Sequence, residues 1–484
     1  MDSAAITIGV DIGTTAVKAV AASADGQVPA RSRVGHELHA TGAGAFEHVA
    51  RQAWIEGPLH ALEEVMMQLR HAFGEAVVPA AVCVAAIAPS MCAVDGSGRP
   101  LSPGLLYGDY RGWRSAGSRR SGSVSPIPED AYGFLASLVA EYPDAAGYWP
   151  AQAVANHALC GAAAMDSFSA LAFSPLHGEA GWDAGVLAGL GVPESKLPIV
   201  APAGSAVGEL GKVGVNVPGR DTGRLDAHPT VVASGIVDAL AEQMVAGKLD
   251  DGDVLIVLGS TLLVWARLSG WREVSGLWTV PDLFDLSGGG CLVGGASNAG
   301  GIFVDWVRRL VGMMPADSVP AGGGGHMIGT SLDSASIPVW APYPRGERTP
   351  LHDPERRAAL GGLGLEHGPD AVMRAAYEAS GFVVRHHIEL AGCEPRRIVA
   401  TGGGIQVDGW LQAIADCTGL PVDVASIPEG AALGAAFIAR IACGLERSGA
   451  LPAGWQQVSR RVEPDSRWVV HCSERYRRFL EMSA

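Results

Sequence analysis

The sequence predicts an α/β protein of two similar domains that face each other, and three observations carry that reading. One strand–turn–strand pattern occurs twice, half a chain length apart: Ile6 to Val20, turning at Gly13-Thr14-Thr15, and Val254 to Ala266, turning at Gly259-Ser260-Thr261. Strand-like and helix-like stretches alternate in both halves, the pattern of an α/β architecture. The 484 residues are too many for one core and suit two domains of roughly 200–250 residues each.

The totals narrow the class. Hydrophobic residues make up 48% and charged ones 18%, the balance of a well-buried globular protein. A net charge of −15 argues against a nucleic-acid partner, which needs a concentrated basic face. The longest apolar run, Ala76 to Val94, is rich in alanine and broken by Pro79 and Pro89, so it reads as buried strand and no membrane partner is expected. Met1-Asp2-Ser3 lacks the basic region of a secretory signal. The eight cysteines are scattered without a Cys-x-x-Cys pair, as reduced, packed thiols in a cytoplasm would be. His386 and His387 are helix neighbours pointing to different sides, which suits packing rather than joint metal ligation.

Each element follows from local signals. After the first hairpin, Asp25-Gly26 marks a turn, and a helix is expected from about Ala53 to Arg70. A buried strand ending near Ile87 precedes the turn Asp95-Gly96-Ser97-Gly98. Residues 115–128 are rich in Ser, Gly and Pro and read as an exposed loop. Apolar residues from Val231 run into Gly235-Ile236-Val237-Asp238 and a helix from Ala239 to about Ala246. The domain boundary is placed in Lys248 to Gly252, dividing the chain into 1–252 and 253–484, because the repeated hairpin begins straight afterwards. In the second half, helices are expected near Gly301–Val311 and Asp370–Gly392, separated by a glycine-rich linker, Pro320 to Gly325. A short strand, Arg397 to Ala400, leads into Thr401-Gly402-Gly403-Gly404 and a helix from about Asp408. Glu429 to Ala436 reads as a helix of small residues that can approach a neighbour closely.

Candidate chemistry gathers at the turns. Tight turns rich in glycine and hydroxyls direct backbone N–H groups beyond the strands, which suits a polyphosphate. Asp11, two residues before the first turn, would repel a phosphate unless a cation lay between them, and Mg²⁺ is the natural one; capping the turn is the alternative. Lys18 is either an edge charge or a phosphate contact. Asp238 is either a helix N-cap or a general base for a substrate hydroxyl. Gly402, Gly403 and Gly404 form a backbone surface a nucleotide can approach, without the G-x-G-x-x-G spacing of a dinucleotide fold. A positioned carboxylate, a metal and phosphate-binding turns are nearly sufficient for phosphoryl transfer.

These features resemble the FGGY carbohydrate kinases, of the actin, heat-shock chaperone and hexokinase superfamily, and most closely their xylulokinase-like members. The likeness spans most of the chain. It is most specific at Pro342-Tyr343-Pro344-Arg345-Gly346-Glu347-Arg348-Thr349-Pro350 leading into Gly361-Gly362-Leu363, with support from Gly402-Gly403-Gly404, the small-residue helix and the tail Tyr476-Arg477-Arg478-Phe479. The resemblance implies two actin-like (ribonuclease H-like) domains across a cleft, ATP and Mg²⁺, and a small sugar or polyol. It implies Asp11 at the metal, Thr14 and Thr15 as the first phosphate turn, Ser260 and Thr261 as the second, and Asp238 as catalytic base. Met91, Cys92, Tyr107 and Asp109 would meet the substrate. For Glu347 and Arg348, packing and direct contact stay open. The family's frequent dimers extend to this chain as a candidate homodimer.

Departures from the pattern point away from D-xylulose. Where xylulokinases carry Gln-Met-His, this chain has Ser90-Met91-Cys92; the residue after the base is Ala239 instead of a polar one; and the Trp-x-Asp element is Tyr107-Gly108-Asp109. A site built for hydroxyls loses discrimination when a polar partner is removed. The expected activity is an ATP-dependent kinase for a small ketose, polyol or related sugar. A sugar- and nucleotide-binding sensor on the same fold is the alternative, and a nicotinamide-dependent oxidoreductase is disfavoured by the missing dinucleotide spacing.

Overall fold

The first hairpin sits at the centre of a sheet. β1 (Thr7–Ile12) is buried along its whole length, as expected of a strand covered on both faces. It pairs antiparallel with β2 (Ala16–Ala22), which pairs in turn with β3 (Ala30–Gly35). Helix α1 (Gly57–Phe73) covers β2 and β3. On its other side β1 pairs parallel with β4 (Ala81–Ala86). The computed structural model describes residues 6–41, 44–112, 130–211, 229–282, 284, 289–313, 332–447, 454–455 and 457–484. The expected loop at 115–128 and the linker Pro320 to Gly325 lie outside them.

The apolar run Ala76 to Val94 holds two strands where the sequence reading expected one. β4 stops at Ala86, and β5 (Ser90–Val94) belongs to a separate small sheet with Leu38–Ala40, Phe46–His48, Gly104–Leu106 and Gly147–Trp149. Pro89, which has no N–H to give a ladder, separates them. Helix α2 (Ala151–Cys160) and strands β6 (Ala206–Glu209), β7 (Val231–Ala233) and β8 (Ile236–Val237) lead to α3 (Asp238–Ala246). The main sheet runs β6-β7-β4-β1-β2-β3, with β8 also paired to β4.

The second half repeats this plan. β9 (Asp253–Leu258) and β10 (Leu262–Leu268) form the second hairpin, followed by β11 (Trp278–Pro281), β12 (Cys291–Ser297), α4 (Gly301–Leu310), α5 (Pro369–Ala391), β13 (Arg397–Thr401), α6 (Asp408–Thr418) and β14 (Val422–Ala425). The strand order is β11-β12-β10-β9-β13-β14 and then β15 (Val458–Val462). As β1 does, β9 has an antiparallel hairpin partner on one side and a parallel strand, β13, on the other. One hydrophobic core, with Phe303, Trp340, Phe382 and Trp410, joins α4, α5 and α6 to the sheet and to the final helix, Ser466–Ser483.

The chain forms two units, Met1–Val245 with Glu429–Trp455, and Ala246–Pro428 with Gln456–Ala484. This differs from the single cut expected after residue 252. The exception is α7 (Gly430–Ala442), which belongs with the first unit and lies against β1. Its small residues permit that seat. Thr7 Oγ1 donates to Ala436 O at 2.8 Å, and a Cβ added at Gly9 would lie 1.8 Å from Ala432 O. Gly434 is equally tight, since its Cβ would lie 2.1 Å from Ala241 O on α3. Close approach was legible in the composition of α7, but which backbone it would meet was not. Among the described residues no helix is long and apolar enough to cross a membrane.

Candidate active site

Sheet register brings the first unit's carboxylates to one edge. Asp11 on β1 and Ile236 on β8 both lie opposite Ala85 of β4; Ile12 and Val237 both lie opposite Ala86. All three strands are parallel, so Gly13 and Asp238 emerge from their carboxyl ends with only β4 between them, about 10 Å apart at the backbone. The carboxyl edge of parallel strands is where open α/β sheets place ligands.

Polar side chains from α2 hold the strand that carries Asp238. Gln152 and Asn156, four residues apart, share one helix face. Gln152 Nε2 donates to Val84 O at 3.2 Å and Ile236 O at 3.1 Å, and Asn156 Nδ2 donates to Ser234 O at 2.8 Å. Gly235 makes the bend between β7 and β8 with φ 120°, and a Cβ there would lie 2.3 Å from Gln152 Nε2. Asp238 is the first residue of α3 and half-buried, and its Oδ1 accepts the Ala239 N–H at 2.7 Å.

Asp11 is only 5% exposed. Lys18 lies directly opposite in the hairpin, its Nζ 3.8 Å from Asp11 Oδ2, while Asp11 Oδ1 is buried with no hydrogen-bond partner. Burial pushes the Asp11 carboxyl above its ordinary value, and the Lys18 charge pulls it part of the way back. A buried carboxylate oxygen lacking a donor fits a hard cation such as Mg²⁺. Thr14 Oγ1 lies 3.0 Å from the Tyr107 hydroxyl. Tyr107, expected at the substrate, therefore reaches the first turn. Thr15 at the tip is exposed.

Two expected substrate contacts are framework residues instead. Met91 is fully buried in a core with Phe134, Leu138 and Tyr148. Asp109 is fully buried with both oxygens occupied: Oδ2 accepts the Phe46 N–H at 2.6 Å and Arg111 Nη2 at 2.8 Å, and Oδ1 accepts Arg111 Nε at 2.8 Å. Glu47 also bonds Arg111. A carboxylate paired in this way locks the strand Phe46–His48 in place and keeps no oxygen for a sugar. Cys92, pointing opposite to Met91 along β5, is also fully buried, and burial pushes its thiol up. The sequence reading missed Arg111, Glu47, Gln152 and two histidines at the first turn, His36 and His48. A cation two residues from Asp109 was the one local signal among them.

The second turn is built from backbone. Gly301 N–H donates to Gly259 O at 2.8 Å and Ile302 N–H to Ser260 O at 3.0 Å, so the start of α4 holds the turn that carries Ser260 and Thr261. Nearby, Gly402 has φ 88°, and a Cβ at Gly404 would lie 2.6 Å from Leu258 Cβ, so both are fixed by the fold. Gly403 differs: it is exposed, and a Cβ there would meet nothing within 4 Å. The Glu347 carboxylate accepts Ser297 Oγ at 2.6 Å, Asn298 N–H at 3.1 Å and Arg348 N–H at 2.6 Å, just ahead of α4. Burial pushes Glu347 up to about 7, against the pull of those hydrogen bonds. His387 is buried between the Thr349 hydroxyl and the Val383 carbonyl, a packing role.

Comparison with known proteins gives a consistent result. Residues 254–443 match the C-terminal domain of the FGGY family of carbohydrate kinases. The xylulose kinase of Escherichia coli (strain K12) is 34% identical over 152 residues, 30% of each chain. That of Klebsiella pneumoniae is 30% identical over 265 residues, 50% of each chain. These alignments span half or less of the two relatives. The crystal structure of gluconate kinase from Lactobacillus acidophilus superposes with a TM-score of 0.77 over 99% of this chain and 97% of that one, a likeness of fold at 20% identity.

Proposed function

We propose that the chain is an FGGY-type carbohydrate kinase, as the match of residues 254–443 to that family's C-terminal domain supports, and that it transfers the terminal phosphate of ATP to a hydroxyl of a small ketose, polyol or related sugar. The observation that carries this reading is the shared edge of the first sheet, where register sets Asp11, the Gly13-Thr14-Thr15 turn and Asp238 at the ends of two strands separated only by β4.

Asp238 acts as general base, taking the proton of the attacking hydroxyl as its oxygen bonds to phosphorus and the bond to the ADP oxygen breaks. Thr14 and Thr15 receive the phosphates in the first unit, with Lys18 beside them. In the second unit, Ser260 and Thr261 are the phosphate-binding turn, and Gly402, Gly403 and Gly404 are the nucleotide-binding surface. Asp11 would hold Mg²⁺, which when bound would offset the phosphate charge. Tyr107, bonded to Thr14, ties the substrate side to the phosphate side.

The relatives named above act on xylulose and gluconate. Cys92 offers a buried thiol where a xylulokinase offers a hydrogen-bonding imidazole, so D-xylulose is disfavoured and the substrate is another polyhydroxylated molecule. A coupled assay of ADP release over ketopentoses, polyols and sugar acids tests this. At least one compound should stimulate release. ATP binding with no release across the panel would favour the sensor.

A further inference from the structure

The first turn is pinned along its outer side. Gly13 O accepts from His36 Nε2 at 3.1 Å, Thr14 O from His48 Nε2 at 2.8 Å, and Thr15 O from the His36 backbone N–H at 3.1 Å. In a trans peptide the C=O and the following N–H point to opposite sides of the chain. Holding the Gly13 and Thr14 carbonyls therefore turns the Thr14 and Thr15 N–H groups away from the histidines. Among the described residues neither amide donates to an acceptor in the protein. Successive amides free in this way form an anion-binding concavity.

The tautomer of His48 is fixed as well. Trp54 Nε1–H, which can only donate, meets His48 Nδ1 at 3.0 Å. The ring hydrogen therefore sits on Nε2, which faces the Thr14 carbonyl. The His36 ring packs edge-on against His48 with centroids 4.4 Å apart. His48 and Trp54 are fully buried, and His36 is half-buried.

We propose that His36 and His48 are positioning residues for phosphate binding, holding the first turn so that its Thr14 and Thr15 amides meet the terminal phosphate of the nucleotide. The inference rests on the kinase reading. It assigns work to two residues that touch neither substrate nor metal.

The test measures equilibrium binding of the magnesium complex of a non-hydrolysable ATP analogue, and of adenosine, to the full chain. His48→Leu removes the donor to Thr14 and should weaken the analogue roughly 10-fold or more, as loss of a buried hydrogen bond does. His36→Ala should weaken it by a similar factor, and its half-buried position keeps the test open should His48→Leu fail to fold. His48→Gln, whose amide can still donate, should recover most of the loss. Adenosine affinity should hold within about two-fold, because it has no phosphate to meet the turn. Variants that bind the analogue as wild type does, or that lose adenosine in parallel, would overturn the inference alone. Failure of the wild type to bind the analogue would overturn the kinase reading together with it.

Discussion

The two hairpin turns share a strand plan but differ in charge and in scaffolding. Asp11 and Lys18 flank the first, whereas the matching positions before and after the second turn are Val257 and Val264, both buried. The first turn is held by imidazoles reaching in from distant sequence, the second by the first two amides of α4. After the third strand of its hairpin sheet the first unit inserts residues 36–56 before its helix, and the histidines come from that insertion. The second unit enters α4 a few residues after β12, so backbone suffices. The two hairpins thus share a turn plan, while only the first carries a carboxylate and an ammonium beside it.

If catalysis belongs to the charged copy, the largest effect should come from Asp238→Asn. We expect kcat to fall roughly 10²–10⁴-fold with nucleotide affinity nearly unchanged. Turnover close to wild type would break the comparison at its most important point.

For the neutral copy, the sensitive position is a glycine. A Cβ added at Gly300 would lie 2.3 Å from the Thr261 carbonyl carbon, against the backbone of the turn itself. Gly300→Ala should therefore separate α4 from the turn, destabilising the protein by about 1–3 kcal/mol and weakening ATP. Its melting temperature and ATP affinity should fall together. Neither changing would mean that α4 does not hold the turn.

Gly403→Ala sharpens the same contrast, because its methyl enters open space. Stability should be unchanged or slightly raised, while ATP affinity drops roughly 10-fold, about 1.4 kcal/mol. Calorimetric binding and a melting curve on one sample separate the two effects. Unchanged affinity would remove Gly403 from the nucleotide surface.

Local signals account for what could be read beforehand. The hairpins were legible because alternation and a glycine turn are properties of a dozen consecutive residues. The setting of β5 was not: it is buried along its whole length, so Met91 and Cys92 are both covered, on opposite faces of the strand. Asp109 read as a ligand because its partner Phe46 becomes visible only when Phe46–His48 is folded beside it. His36 and His48 follow no periodic pattern, and their turn partners lie 23 and 34 residues away. The seat of α7 depends on Gly9 and Ala241, far from it in sequence.

The two scaffolds should also respond oppositely to pH, with the smallest effect of those considered. Burial first, and then neighbouring His36, lower His48 from 6.5 to about 3, so it stays neutral in the fold while an unfolded chain would take up a proton. Its contribution is present above pH 6.5 and is lost as pH falls toward 3. Glu347 is raised from 4.5 to about 7. It stays protonated in the fold after an unfolded chain would have ionised, so its contribution is present below pH 4.5 and is lost as pH rises toward 7. Between pH 4.5 and 6.5 these two contributions have opposite slopes. Each slope approaches about 1.4 kcal/mol per pH unit, or roughly 2–4 °C in melting temperature for a unit of this size. Relative to wild type, Glu347→Gln should therefore tilt the midpoint upward with pH across that window, and His48→Gln should tilt it downward. Parallel curves for the two variants would mean that the histidine and the carboxylate do not differ in this way, and the contrast between the scaffolds would then rest on geometry alone.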